Sequence, residues 1–116
     1  MIKEPIILTV CHDEKDQKKE FYYLDGDNSR SCGILRFSHE YSVYLKKDLT
    51  FEYASSIDCG ETSEYEFEEE FEASYPGVLK AIRDAAAAGT LRIRRYKWNK
   101  DLGRNEEHIL PYPEEA

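Results

Sequence analysis

No lysine or arginine occurs between Lys47 and Lys80, although the chain of 116 residues carries 16 basic residues elsewhere. That gap holds ten acids: Asp48, Glu52, Asp58, Glu61, Glu64, Glu66, Glu68, Glu69, Glu70 and Glu72. The other 14 acids share the remaining chain with all the basic residues, so the net charge of −8 belongs to one segment. Binding phosphates requires lysine and arginine, so direct contact of this segment with nucleic acid or an anionic membrane is disfavoured.

Other absences narrow the possibilities further. No apolar run approaches the ~18 residues of a membrane span. The opening "MIKEPIILTVCHDEKD" lacks the length and the small-residue cleavage pattern of a signal peptide, and a cytoplasmic location is expected. Only three cysteines occur, Cys11, Cys32 and Cys59, with no CxxC spacing; reduced thiols are expected rather than a disulfide framework. Gly-rich phosphate loops, GxSxG and HExxH are missing, and with them any motif for an enzyme. No cofactor or metal is expected. "DGDNS" from Asp25 opens like a calcium loop, but Arg30 and Arg36 stand where such a loop needs glycine and glutamate. Cys11 and His12 are adjacent rather than spaced as metal ligands, and His39 and His108 have no context that makes a base.

What is present is enough for one folded domain spanning 1–116. Apolar residues make up 41% and aromatics 13%, too many for a disordered chain. A domain of this size hides roughly two-thirds of its unfolded surface. The β-branched "PIILTV" (5–10) reads as a buried strand. "FYYL" (21–24) and "GILRFS" (33–38) flank the turn formers "DGDNSRSC" and read as a hairpin with a long loop. "YSVYL" (41–45) alternates with Tyr41, Val43 and Leu45 on one face. "LTFEYAS" (49–55) does so with Leu49, Phe51 and Tyr53 across the short turn "KKD".

The period then changes. "YPGVLKAIRDAAAAG" spaces Val78, Leu79, Ile82 and Ala86 as a helix over 76–88, with Gly89 as its C-terminal cap. "TLRIRRYKW" and "EEHILPY" form a hairpin across "NKDLGRN", where Gly103 can take a left-handed turn, and the register slips at Arg94-Arg95. The fold class is α+β. An antiparallel sheet of about five to seven strands, an N-terminal meander plus a C-terminal hairpin, packs against one or two helices.

The stretch "SEYEFEEEFEA" (63–73) places Tyr65, Phe67 and Phe71 among six glutamates. Strand alternation would put Glu64, Glu66, Glu68, Glu70 and Glu72 on one side and the rings on the other, spoiled only by Glu69. A short helix is the preferred reading, because Ser63 and Glu66 match a capping box, Phe67 and Phe71 stack at i, i+4, and glutamate favours helices. Either way the rings are expected to anchor the segment and the carboxylates to point outward. A solvated face is the plain interpretation; an ordinary solvated helix, however, mixes charge signs, and this one does not.

The expected partner-binding residues are therefore Asp58, Glu61, Glu64, Tyr65, Glu66, Glu68, Glu69, Glu70 and Glu72. They suit a small cytosolic inhibitor whose acidic, aromatic surface mimics nucleic acid and blocks a basic enzyme, such as a nuclease toxin. Immunity proteins, other antitoxins and anti-CRISPR proteins are of this general class, and an immunity protein fits the mixed fold best. Alternatives are a general protein-interaction domain, or nucleic-acid binding through the ribbon Arg92, Arg94, Arg95, Lys97 and Lys100 with Tyr96 and Trp98.

Overall fold

The computed structural model describes residues 6–13, 15, 16, 18–27, 30–32, 35–37, 39–58 and 61–114, with backbone alone at 27, 30–32, 35–37, 39, 40 and 58. The strands are β1 (Ile7–His12), β2 (Glu20–Asp27), β3 (Arg30–Cys32), β4 (Leu35–Phe37), β5 (His39–Leu45), β6 (Phe51–Asp58) and β7 (Glu61–Tyr65). Two helices follow, α1 (Glu68–Ser74) and α2 (Val78–Ala88), then strands β8 (Arg92–Asn99) and β9 (Arg104–Pro111). Seven strands form one sheet in the order β7-β6-β5-β2-β1-β8-β9, while β3 and β4 make a separate hairpin. The α+β class holds.

Two pairings differ from the sequence reading. The sheet is mixed, because β8 returns after the helices to lie parallel to β1, with Leu8 beside Ile93. A parallel neighbour requires a long crossover, and the two helices supply it. The second difference concerns β2, which pairs with β5 rather than with the 33–38 segment. Asp25, Gly26 and Asp27 are strand residues, not turn residues, and the small β3–β4 hairpin is inserted between the two partners. Gly26 lies opposite Tyr41, whose ring occupies the space a Cβ would take, so the glycine admits the tyrosine to the core. Of the "DGDNSRSC" and "GILRFS" readings, Asn28, Ser29, Gly33, Ile34 and Ser38 lie outside the described residues.

Alternation divides the sheet into a covered and an open face. Leu8, Tyr22, Tyr41, Val43, Leu45, Ala54 and Ile93 face the helices, which contribute Phe71, Tyr75, Leu79 and Ile82 to the same core. The expectation for Tyr41, Val43 and Leu45 is met: all three are buried. That for Leu49, Phe51 and Tyr53 is not. A register shift beside Leu45 sends Phe51 to the core, where its ring lies 6.1 Å from that of Phe71. Tyr53 instead meets Tyr44 on the open face, at 6.1 Å. Leu49 sits in the turn with φ +70° and is buried there.

Helix α2 ends as its sequence requires. Gly89 adopts φ +77°, and the amides of Thr90 and Leu91 close on the Ala85 carbonyl. Gly103 takes φ +66° in the last hairpin. The register of β8 with β9 is unbroken, so the slip anticipated at Arg94-Arg95 is absent. Among the described residues no helix is long and apolar enough to cross a membrane.

Phe71 holds α1 to the sheet, being fully buried and within ring contact of Tyr41, Phe51, Tyr65 and Tyr75. Phe71→Ala is expected to lower unfolding stability by ~3–5 kcal/mol, measured by urea denaturation followed by circular dichroism.

Candidate interaction surface

The acidic stretch is neither one helix nor one strand. Residues 61–65 form the edge strand β7, antiparallel to β6, and the helix begins only at Glu68. Strand pairing satisfies the backbone here and lets Tyr65 turn inward. Its ring packs against Phe71 at 5.8 Å, and its hydroxyl lies 3.1 Å from Ser56 Oγ. The capping signature read at Ser63/Glu66 is displaced to Phe67/Glu70, where the Phe67 amide donates to Glu70 Oε1 at 3.3 Å. Phenylalanine has no side-chain acceptor to complete the box, so only that half of it forms.

The rings do not all anchor the segment, as had been expected. Tyr65 is half-buried and Phe71 fully buried, but Phe67 is 63% exposed at the N-cap of α1.

Several of the carboxylates also have structural work. Glu68 receives two bonds from Arg83, at 2.8 and 3.2 Å, and the guanidinium also donates to the Leu49 carbonyl. Arg83 lies just beyond the gap in sequence, but the helical hairpin folds it back onto the acids, so the cation depletion is not complete in space. Its hydrogen bonds hold the Glu68 carboxyl below its ordinary range. Glu64 accepts from Tyr53 Oη at 2.8 Å, and Glu72 accepts from the Gly77 amide at 3.0 Å. The side chains of Glu61, Glu66 and Glu69 are exposed and make no hydrogen bond or ion pair with another described residue. Asp58 pairs with Glu61 through the backbone, and its side chain is outside the described residues. Of the nine candidates, Glu66 and Glu69 stand at the corner between β7 and α1 with Phe67, a residue absent from the expected set, while Glu61 lies at the far end of β7, four residues or ~13 Å from Tyr65.

The basic ribbon is largely spoken for. Strand alternation turns Arg95 toward the covered face, where it donates to Glu20 (2.7 and 3.1 Å) and Glu114 (2.9 and 3.0 Å). Lys47 joins Glu20 at 2.6 Å, His12 lies 3.3 Å from it, and Tyr22 Oη donates to Glu114 at 2.7 Å. Arg94 pairs with Glu107 on the open face. None of these partners belongs to the acidic segment. The Arg95 hydrogen bond is the main reason the Glu20 carboxyl falls from 4.5 to about 2, and Glu114 is lowered by the same guanidinium. Burial, reinforced by Glu114, pushes the Tyr22 hydroxyl well above its usual range. A cleft of about 460 Å³ borders this network, lined by Lys47, Lys97, Leu110, Tyr112 and Pro113 besides Tyr22, Arg95 and Glu114.

Sequence reasoning missed this network because it joins residues 75 positions apart. The only local signal was Arg95 itself, two positions after the buried Ile93 on an alternating strand.

Cys11 and His12 point to opposite faces of β1, and burial raises the Cys11 thiol, which disfavours the thiolate. Among the described residues no three His, Cys, Asp or Glu side chains converge to hold a metal. No protein-family model, curated protein or solved structure matches the chain.

Glu20 stabilises the fold through a depressed carboxyl, so its contribution is complete above about 4.5 and is lost as pH falls toward about 2. In Glu20→Gln that titration is gone. The variant is expected to be less stable than the parent at pH 7 and to show a shallower loss between pH 4.5 and 2, read from thermal midpoints across pH.

Proposed function

We propose that this protein is a small acidic inhibitor of the immunity-protein type, acting in the cytoplasm. It would occlude the phosphate-binding groove of a basic nuclease toxin or another nucleic-acid-handling enzyme. The observation that carries this reading is the corner at Phe67. Two carboxylates without a partner among the described residues, Glu66 and Glu69, stand beside a large exposed ring, and Phe67 occupies a helix N-cap where serine or aspartate would stabilise α1 by ~1 kcal/mol. The exposed ring and the missing side-chain cap run against local stability, and such departures concentrate at functional sites.

An enzyme that holds phosphates must display lysine and arginine, and carboxylates presented on a rigid strand-to-helix corner can take the place of those phosphates. The excess negative charge steers association and makes it salt-sensitive. Phe67 supplies the apolar anchor that charges at an exposed rim do not, since a solvated pair contributes only ~0.2–1 kcal/mol. Glu64, Glu68, Glu70 and Glu72 act differently, by fixing the shape of the corner through Tyr53, Arg83, the Phe67 amide and the Gly77 amide.

Affinity capture at about 50 and about 500 mM salt, followed by nuclease assays on the captured protein, tests the proposal. A nuclease retained at low salt, released at high salt and inhibited on addition of this chain is the expected result. Phe67→Ala combined with Glu61→Gln, Glu66→Gln and Glu69→Gln should weaken that binding at least tenfold with the thermal midpoint unchanged. Unimpaired binding by this variant would sink the proposal.

A further inference from the structure

We infer that the open face of the sheet is the interface of a twofold symmetric dimer of this chain, with the axis running along the central strand β2. Both helices pack on the other face, and none of the residues that follow here joins the core cluster. Across the middle of the open face runs one transverse row: Tyr53 on β6, Tyr44 on β5, Tyr23 on β2, Thr9 on β1, Arg94 on β8 and Ile109 on β9. The three tyrosine rings form a ladder with centroids 5.8 and 6.1 Å apart. One half of the row is therefore tall and aromatic. The other half carries no ring: a threonine, a guanidinium paired with Glu107, and an isoleucine.

Strand β2 is the fourth of seven, the midpoint of the sheet. Rotation by 180° about an axis along it, in the plane between two stacked sheets, keeps each row at its own height and exchanges left for right. Tyr23 then meets its own copy, Tyr44 fits over the shallow site at Thr9, and Tyr53 lies over Arg94 in a cation–π arrangement. The central row is complementary to itself under this one operation, as a closed dimer requires. Sheets that pack with aligned strands stack in the same way within sandwiches.

Size and charge select a second copy over other occupants. Seven strands at ~4.8 Å spacing, each contributing ~6 residues at ~3.3 Å, give a face of ~700 Å². A standard stable interface takes ~800 Å² per partner. Arg92 and Arg94 are balanced by Asp25, Glu64 and Glu107, and Lys19 sits over the Phe21 ring at 5.2 Å. Two chains of net charge −8 can approach through such a near-neutral face while their acidic corners stay apart. A phosphate backbone gains nothing from it.

Sedimentation equilibrium at ~10–100 µM, a range bracketing a micromolar dimer, reads the outcome. The parent is expected at twice the chain mass of 13.6 kDa. Tyr23→Lys and Tyr53→Lys should each weaken dimerisation at least tenfold with circular dichroism unchanged, while Phe67→Ala leaves it intact. Tyr53→Lys with Arg94→Glu should restore the dimer. The two positions are four strands, ~19 Å, apart within one chain, so that rescue arises only between chains. A monomeric parent, a dimer indifferent to Tyr23→Lys, or failure of the paired exchange to rescue overturns the proposal. Binding of a labelled oligothymidylate by a monomeric parent would assign the face to nucleic acid instead.

Discussion

The burial of Phe71 governs how the candidate corner at Phe67 is presented. Helix α1 has only seven residues, too few to persist alone. Its register on the sheet is set by one ring seated among Tyr41, Phe51, Tyr65 and Tyr75. Tyr65 ends β7 and Phe71 occupies the middle of α1, so the contact between them fixes the turn that joins strand to helix. Glu66 and Phe67 are that turn. Their exposure follows from the contact, because the chain cannot bury both ends of so short a connection.

The charges obey a similar division between structure and display. Arg95 lies on the covered face, a costly place for a cation, and it persists there because Glu20 and Glu114 both answer it with short bonds. Arg83 does the same for Glu68 at the other end of the sheet. The sequence therefore contains cations able to neutralise acids, and it directs them to Glu20, Glu68, Glu107 and Glu114. Glu61, Glu66 and Glu69 are left aside. Placing unpaired acids on and beside the edge strand β7 also discourages another strand from adding there, since an exposed edge otherwise invites pairing.

Much of the fold could be read from periodicity. Helix α2 was expected over 76–88 and spans Val78–Ala88, closed by Gly89; strands β5, β8 and β9 lie where alternation put them. What escaped was non-local. Nothing near Ile7 or Arg92 announces that β1 and β8 run side by side, because parallel pairing leaves no turn between its partners. The Leu45/Phe51 irregularity was invisible for a related reason: one extra residue reverses which face Tyr53 takes, and alternation alone cannot count it. In the candidate surface, charge segregation marked the stretch from which the exposed acids Glu61, Glu66 and Glu69 are displayed. It could not say that Glu64, Glu68, Glu70 and Glu72 would be occupied by Tyr53, Arg83, the Phe67 amide and the Gly77 amide, since those partners become neighbours only in the folded chain.

The two surfaces differ in the kind of departure they represent. At the Phe67 corner local rules are broken, by a helix start without a side-chain cap and by an exposed phenylalanine. On the open sheet face alternation is regular, and the departure is the exposure of Ile57, Tyr96, Trp98 and Ile109. The tyrosines stack on one another, and their rings are half-buried. In the proposed inhibitor role, a corner of the first kind presents a charged target to a partner of opposite sign. A face of the second kind is already nearly satisfied and needs only exclusion of water from a broad, near-neutral plane, which association through sheet packing supplies. The physical demands of the two are therefore compatible in one molecule. Under the two proposals, the charge that attracts a basic partner to the corner also confines self-association to the face where the described charges nearly cancel.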